Sequence, residues 1–239
     1  MEILKNIEVV QQRINRACLK SGRKPQEVKL LLATKTVTPE RIKLEAGYTL
    51  IAENRVQELK EKYEALKDVQ HTNHFIGHLQ TNKIKEILRY DVSCVQSLDR
   101  YDLAEKMHQR LQNQNRTLDV LIQVNTSNKE SKFGVQPEGV VDLVKKVAQL
   151  NTLKIKGLMT IGLFSDNAEK VRKCFRLLKD IQLQIKDLQI ENVAMTELSM
   201  GMSGDLEIAI EEGATIVRVG TDIFGKRLYP DSYYWNENQ

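Results

Sequence analysis

The sequence predicts an α/β fold, a (β/α)8 TIM barrel, in a single domain over residues 1–239 with a helix at its N-terminal end. Three observations predict it. Short apolar strands alternate with amphipathic helices until eight strand-then-helix units are counted. The strands are apolar on both sides, as expected of a parallel sheet covered on both faces. The last two strands each run into a loop rich in Gly and Ser/Thr, where barrels of this kind hold phosphate groups. An open doubly wound sheet is the alternative, but no Gly-x-Gly-x-x-Gly follows the first strand.

The N-terminal helix is expected over 2–21, because Ile3, Ile7, Val10, Ile14 and Cys18 recur at helical spacing and Gly22 follows. VKLLLAT at 28–34 reads as the first strand, and Pro39 opens the next helix. A short second strand at 50–52 precedes a helix over 56–66. The third strand is expected at 74–76, the fourth at 92–95, the fifth (DVLIQV) at 119–124 and the sixth at 155–159. Helices over 100–112 and 137–150 fill two of the intervals. The seventh strand, 196–200, ends in Gly201-Met202-Ser203-Gly204-Asp205, and the eighth, 216–219, ends in Gly220-Thr221. One amphipathic helix lies between them. No linker or low-complexity tract divides the chain.

With 239 residues, 41% of them hydrophobic, the chain has enough apolar surface for a sizeable core. The net charge of +4 is mild and spread out. The densest basic run, Lys170-Val171-Arg172-Lys173, lies in a helix whose apolar face is Val171, Phe175, Leu178 and Ile181, so it reads as a solvated face. No nucleic-acid partner is expected. Cys18, Cys94 and Cys174 are too few and too far apart for a disulfide framework or a metal site. The start lacks a signal-peptide pattern and no apolar run reaches membrane-spanning length, so a cytoplasmic protein without a membrane partner is expected.

In such a barrel the chemistry sits at the C-terminal ends of the strands. Those ends carry Lys35-Thr36, Glu53-Asn54-Arg55, Gly77-His78-Leu79-Gln80, Ser97 with Asp99, Asn125 with Glu130 and Lys132 in its loop, Met159, Ser199 and Arg218. Glycines let a backbone approach a ligand, and N–H groups at a helix start favour an anion. Either glycine loop alone reads equally well as ordinary loop chemistry, but together they favour a phosphate. Lys35 follows an apolar strand. Desolvation there would lower its pKa and leave a nucleophilic amine able to attack an aldehyde. The other reading is a lysine snorkelling at a strand end. A phosphorylated aldehyde, of which pyridoxal 5′-phosphate (PLP) is the obvious one, fits both features.

The remaining rim residues keep two readings each. Asn54 could donate to a phenolate oxygen, and His78 could reach a ligand or satisfy backbone groups. Glu53 is expected to pair with Arg55 or Lys132. Lys132 is a second aldehyde or phosphate contact or a solvated loop lysine. Met159 is expected to fill the core. Asp205 and Glu207 are expected to complement the dipole of the helix they begin.

With those residues in view, the chain resembles the PLP homeostasis protein family. The resemblance runs nearly end to end, through Ala33-Thr34-Lys35-Thr36, Glu53-Asn54-Arg55-Val56-Gln57-Glu58 and Phe75-Ile76-Gly77-His78-Leu79-Gln80-Thr81-Asn82-Lys83. It continues in Lys132-Phe133-Gly134, Gly157-Leu158-Met159, Leu198-Ser199-Met200-Gly201-Met202-Ser203-Gly204-Asp205 and Val217-Arg218-Val219-Gly220-Thr221. Two departures are Ala52, where the family usually has Gly, and Thr34, where Ser is common. An alanine at 52 is expected to tighten the barrel mouth.

The resemblance implies a barrel like the N-terminal domain of alanine racemase. Lys35 would hold PLP as a Schiff base. Ser199, Met202, Ser203, Gly220 and Thr221 would surround the phosphate, with Arg218 facing the pyridine nitrogen. An arginine stays charged, so the ring facing it is a poor electron sink. Alanine racemase adds a β-rich domain with a catalytic tyrosine, whereas this chain ends soon after its eighth strand. Tyr229, Tyr233, Tyr234 and Trp235 in the tail are expected to pack on the N-terminal helix. The expectation is a monomeric PLP carrier or regulator in vitamin B6 homeostasis, with PLP-dependent apo-enzymes as partners. A PLP-dependent amino-acid racemase and a cofactor-free sugar-phosphate enzyme are the alternatives.

Overall fold

Eight parallel strands join edge to edge until the last meets the first. Closure leaves no strand with unpaired backbone groups, which an open apolar sheet could not avoid. The computed structural model describes residues 2–43, 48–129 and 131–225. Its strands are β1 (Lys29–Ala33), β2 (Leu50–Glu53), β3 (Thr72–Phe75), β4 (Val92–Leu98), β5 (Leu118–Gln123), β6 (Leu153–Met159), β7 (Val193–Ser199) and β8 (Ile216–Val219). The seam pairs Leu31 with Arg218 and Leu32 with Val219.

The helices form the outer layer. They are α1 (Glu2–Lys20), α2 (Pro39–Lys43), α3 (Val56–Leu66), α4 (Ile84–Arg89), α5 (Tyr101–Gln112), α6 (Val140–Ala148), α7 (Ala168–Asp187), α8 (Leu206–Glu211) and α9 (Thr221–Phe224). Alternate strand residues divide between two cores. Val217 and Val219 of β8 join the large core under the helices, while Ile216 packs inside the barrel with Leu31 and Ala52. Cys94, Leu121 and Met159 form a second interior cluster, so Met159 is core filling. Ala52 is fully buried there, one residue before the end of β2, with its methyl group packed against the interior cluster.

The helix after β8 is a single turn, too short to cover the seam. α1 supplies the missing cover, burying Ile3, Ile7, Val10, Ile14, Ala17 and Cys18. Polar contacts fix it there: Asn6 Nδ2 donates to the Ile223 carbonyl at 3.0 Å. Just beyond it, Arg23 Nη1 donates to the Ile210 and Ala214 carbonyls at 2.9 and 2.8 Å.

Some strands run longer than apolarity suggests. β3 begins at Thr72, two residues before the expected 74, and β4 runs on to Leu98. Most of the added residues are polar, and Gln96 turns inward to partners in the barrel. Near its floor Lys29 pairs with Glu197, which also accepts from Thr215 Oγ1 at 2.6 Å, and Lys156 lies 3.7 Å from Asp119. The basic run on α7 is partly structural, since Arg172 donates to Glu211 at 2.7 Å and to Glu212 at 2.8 Å. The three cysteines are buried and unbonded to one another. No helix among the described residues is long and apolar enough to cross a membrane. Glu130 and the tail aromatics Tyr229, Tyr233, Tyr234 and Trp235 lie outside the described residues.

Candidate cofactor site

Lys35 sits in a turn two residues past the end of β1, half-buried, beside Thr36 in the left-handed backbone region with φ of 64°. A β-branched residue adopts that conformation only when its surroundings impose it. They do so through one buried ion cluster. Lys62 Nζ, on α3, donates to the Thr34 carbonyl at 2.7 Å, to Glu53 Oε1 at 2.7 Å and to Glu58 Oε2 at 2.9 Å. Thr34 Oγ1 donates to the same Glu53 oxygen at 2.6 Å, and the Thr36 N–H donates to Glu58 at 2.7 Å. Both neighbours of Lys35 are thus held by the same three charges. Glu53 therefore pairs with Lys62, not with Arg55 or Lys132. Burial pushes the Glu53 carboxyl up and Lys62 pulls it back.

The next strand ends bring buried polar atoms to the mouth. Asn54 Oδ1, His78 Nδ1 and Ser97 Oγ have no hydrogen-bond partner among the described residues. Such groups are rare in a folded protein, and a bound ligand commonly satisfies them. The backbones of Asn54 and Gly77 touch so closely that a Cβ on Gly77 would lie 1.8 Å from the Asn54 carbonyl oxygen. The His78 ring stacks on Phe133 with centroids 3.8 Å apart, and its Nδ1 lies 3.9 Å from Asp99 Oδ2. Phe133 belongs to the β5 loop, which Asn125 shapes by donating to the Lys129 and Lys132 carbonyls at 2.8 and 3.1 Å. Lys132 turns away to the loop after β6, donating to the Gly162 carbonyl at 2.6 Å and lying 4.7 Å over the Phe164 ring.

A chain of hydrogen bonds crosses the interior beneath the mouth. Arg218 Nη1 donates to Ser199 Oγ at 2.8 Å, and Nη2 to the Thr160 carbonyl at 2.8 Å. Ser199 Oγ donates to Gln96 Oε1 at 2.6 Å, and Gln96 Nε2 donates to His74 Nδ1 at 2.7 Å. Burial pushes the Arg218 guanidinium down to about 10, with Asp205 opposing, so it stays charged at neutral pH. Burial, then the Lys29 charge, pushes His74 down to about 4, which keeps Nδ1 an acceptor. The Ser199 hydroxyl is expected at the phosphate, but it has spent its proton on Gln96. It also accepts from Arg218 Nη1, so in this structure it links Arg218 to Gln96.

The two glycine loops meet at the seam. A Cβ on Gly220 would lie 2.9 Å from the Ala33 carbonyl oxygen, so the Gly220–Thr221 turn abuts the strand that delivers Lys35. The 202–205 turn is closed by Asp205, whose N–H donates to the Met202 carbonyl at 3.2 Å and whose carboxylate accepts the Met202 N–H at 2.6 Å. Asp205 thus shapes the loop as well as opening α8. The Met202 amide is occupied by that contact, leaving the Ser203 and Gly204 amides as the open part of the turn. The Asp222 N–H approaches Ser203 Oγ at 3.4 Å and links the two loops. Arg13, from α1, binds both and was without any local signal in the sequence. Its Nε and Nη2 grip Glu207 at 2.6 and 2.8 Å, Nη1 reaches Asp222 at 2.6 Å, and Nη2 also reaches the Ser203 carbonyl at 2.9 Å.

Residues 5–228 match the family model of the alanine racemase N-terminal domain. A pyridoxal phosphate homeostasis protein of Aquifex aeolicus is 47% identical over 232 residues, 96% of this chain and 100% of that one. One of Haemophilus influenzae is 38% identical, over 97% of this chain and 99% of that one. Among solved structures, PipY of Synechococcus elongatus with PLP bound has a TM-score of 0.78 at 30% identity, over 90% of this chain and 100% of that one. A protein of Bifidobacterium adolescentis reaches 0.89 at 38% identity, over 93% and 94%. Alanine racemase of Clostridium difficile reaches 0.74 at 13% identity, over 96% of this chain and 58% of that one, a likeness of fold alone.

Proposed function

Since the chain belongs to the pyridoxal phosphate homeostasis proteins, we propose that it binds PLP through Lys35 and serves intracellular vitamin B6 homeostasis, holding and delivering the cofactor. The observation that carries this reading is the contact of Gly220 with Ala33. It supports the reading because the Gly220–Thr221 turn lies against the end of the strand that leads to Lys35. The partnerless atoms of Asn54, His78 and Ser97 support it, because a polar ligand at the mouth would give them partners.

Bound PLP would supply an electrophilic aldehyde carbon and an electron-withdrawing ring. The chain's own residues do the rest. The cluster of Lys62, Glu53 and Glu58 fixes Thr34 and Thr36 on either side of Lys35, whose amine would reach that carbon. The Ser203, Gly204 and Thr221 amides would receive the phosphate, with Gly220 leaving room for it. Asn54 and His78 would lie at the ring hydroxyl. Arg218, held by Ser199 and Thr160, would present a fixed cation to the ring nitrogen and keep it unprotonated. That weakens the ring as an electron sink, so the protein holds its cofactor without substantial racemase, transaminase or decarboxylase turnover. We further propose that it works as a single-domain monomer in the cytoplasm and passes PLP to apo-enzymes.

The test is borohydride reduction of the PLP-loaded chain followed by peptide mass mapping. The adduct is expected on Lys35, and Lys35→Ala should lose the visible absorbance while keeping its circular dichroism. An adduct on another lysine overturns the assignment. Amino-acid turnover by the loaded chain near ~10 s⁻¹, typical of enzymes, would overturn the carrier role.

A further inference from the structure

We propose that Arg13 makes the cradle selective for a phosphorylated ligand, acting as a positioning residue from outside the barrel; this rests on the PLP reading above. One guanidinium reaches both glycine loops. It holds the first through the Ser203 carbonyl at 2.9 Å and through Glu207 at 2.6 and 2.8 Å. It holds the second through Asp222 at 2.6 Å. The loops are otherwise joined at their roots, where the Arg218 N–H donates to the Gly201 carbonyl at 2.9 Å, and farther out by the long Asp222 N–H to Ser203 Oγ contact of 3.4 Å, so Arg13 is the strongest tie between their outer parts.

The second effect is electrostatic. Glu207 and Asp222 stand directly after the two loops, and both pair with Arg13. Without it, two carboxylates would face an arriving phosphate dianion from beside its binding amides, and like charges at that range oppose binding. A ligand lacking the phosphate would sense neither the spacing nor the repulsion. Arg13 contacts no strand-end residue around Lys35 among its described bonds, so attachment of the aldehyde is left unaffected.

The experiment titrates the full chain with PLP and with unphosphorylated pyridoxal, read by visible absorbance, in the wild type and in Arg13→Gln. The PLP dissociation constant should rise roughly tenfold, about the worth of one charge-assisted hydrogen bond, while that for pyridoxal holds. Adding Asp222→Asn to Arg13→Gln should recover part of the loss, because one repelling carboxylate is gone. Arg13→Lys, which keeps the charge but cannot span both loops, carries the same comparison if the Gln variant does not fold. An equal loss for both ligands, or no loss, overturns the proposal alone. A wild-type chain that takes up neither ligand overturns the PLP reading, and this one with it.

Discussion

Lys35, an amine at the end of an apolar strand, has two uses open to it, a ligand contact or a snorkelling side chain, and its neighbours Thr34 and Thr36 are fixed by the buried charges of Lys62, Glu53 and Glu58. Lys62 follows Glu53 by nine positions across a strand end, a loop and a helix, a separation that neither strand nor helix periodicity marks. The contact exists only after α3 packs back on β2. Arg13 was further out of reach, since its partners lie some two hundred positions along the chain. Lys62→Met should leave Glu53 buried without its counter-charge and cost about 3–5 kcal/mol of stability. Adding Glu53→Gln should recover part of it. Urea unfolding measures both, and a Lys62→Met chain as stable as the wild type would show that the cluster carries little.

His74 carries a second consequence at this scale. Its pKa is pushed from 6.5 to about 4, first by burial and then by Lys29, against Glu197. Between those values the unfolded chain binds a proton that the folded chain refuses. Stability should therefore be level above pH 6.5 and fall as pH drops toward 4, by about 3 kcal/mol in all. Protonation would also turn Nδ1 from an acceptor into a donor facing Gln96, disrupting the line of bonds that ends at Arg218. Thermal melts across that window, with His74→Gln as control, decide the point. An unchanged slope in the variant would clear His74 of the effect.

At the scale of the element, the helices were easy to read and the strand limits were not. α1 and α3 bury one face each, and that face repeats in the sequence. A barrel strand has two buried faces, and its inner one is free to carry polar groups that bond across the interior. Thr72 and Asn73 look like a loop until their pairing with β2 is known. Ser199 shows the same limit, since it belongs to the interior chain through Gln96, a partner on β4. Close approaches between elements make a sharper prediction. Gly77→Ala would put a methyl group 1.8 Å from the Asn54 carbonyl oxygen, so β2 and β3 would have to part at the site. It should unfold the protein at room temperature or lower its melting point severely. Gly204→Ala meets nothing within 4 Å and should change stability by no more than about 0.5 kcal/mol. Equal melting points for the two would mean that the β2–β3 contact is looser than described.

At the scale of the whole molecule, the barrel was legible because eight repeats of one pattern leave few other ways to bury both faces of every strand. The site inherits its place from that topology, at the strand ends where the sequence had already gathered its glycines, lysine and arginine. Which loops touch was legible only in part. The Gly220 turn and the end of β1 become neighbours through ring closure, and α1 reaches the two glycine loops through Arg13. PLP should accordingly stabilise the closed ring by mass action, by about 2.7 kcal/mol at a hundredfold excess over its dissociation constant. Lys35→Ala should shrink that gain in a thermal shift measurement. A gain that survives intact in Lys35→Ala would place the ligand elsewhere.

The seam between β1 and β8 also sets a clock on synthesis. On the proposed site, the amine is translated near the start of the chain and the second glycine loop near residue 220, so a ribosome must finish nearly the entire barrel before PLP can dock between them. The ligand cannot act as a template for the emerging half-barrel; it can only lock a ring that has already closed. Chains stalled on the ribosome before β8 has left the exit tunnel should stay colourless in PLP, and the released full chain should turn yellow.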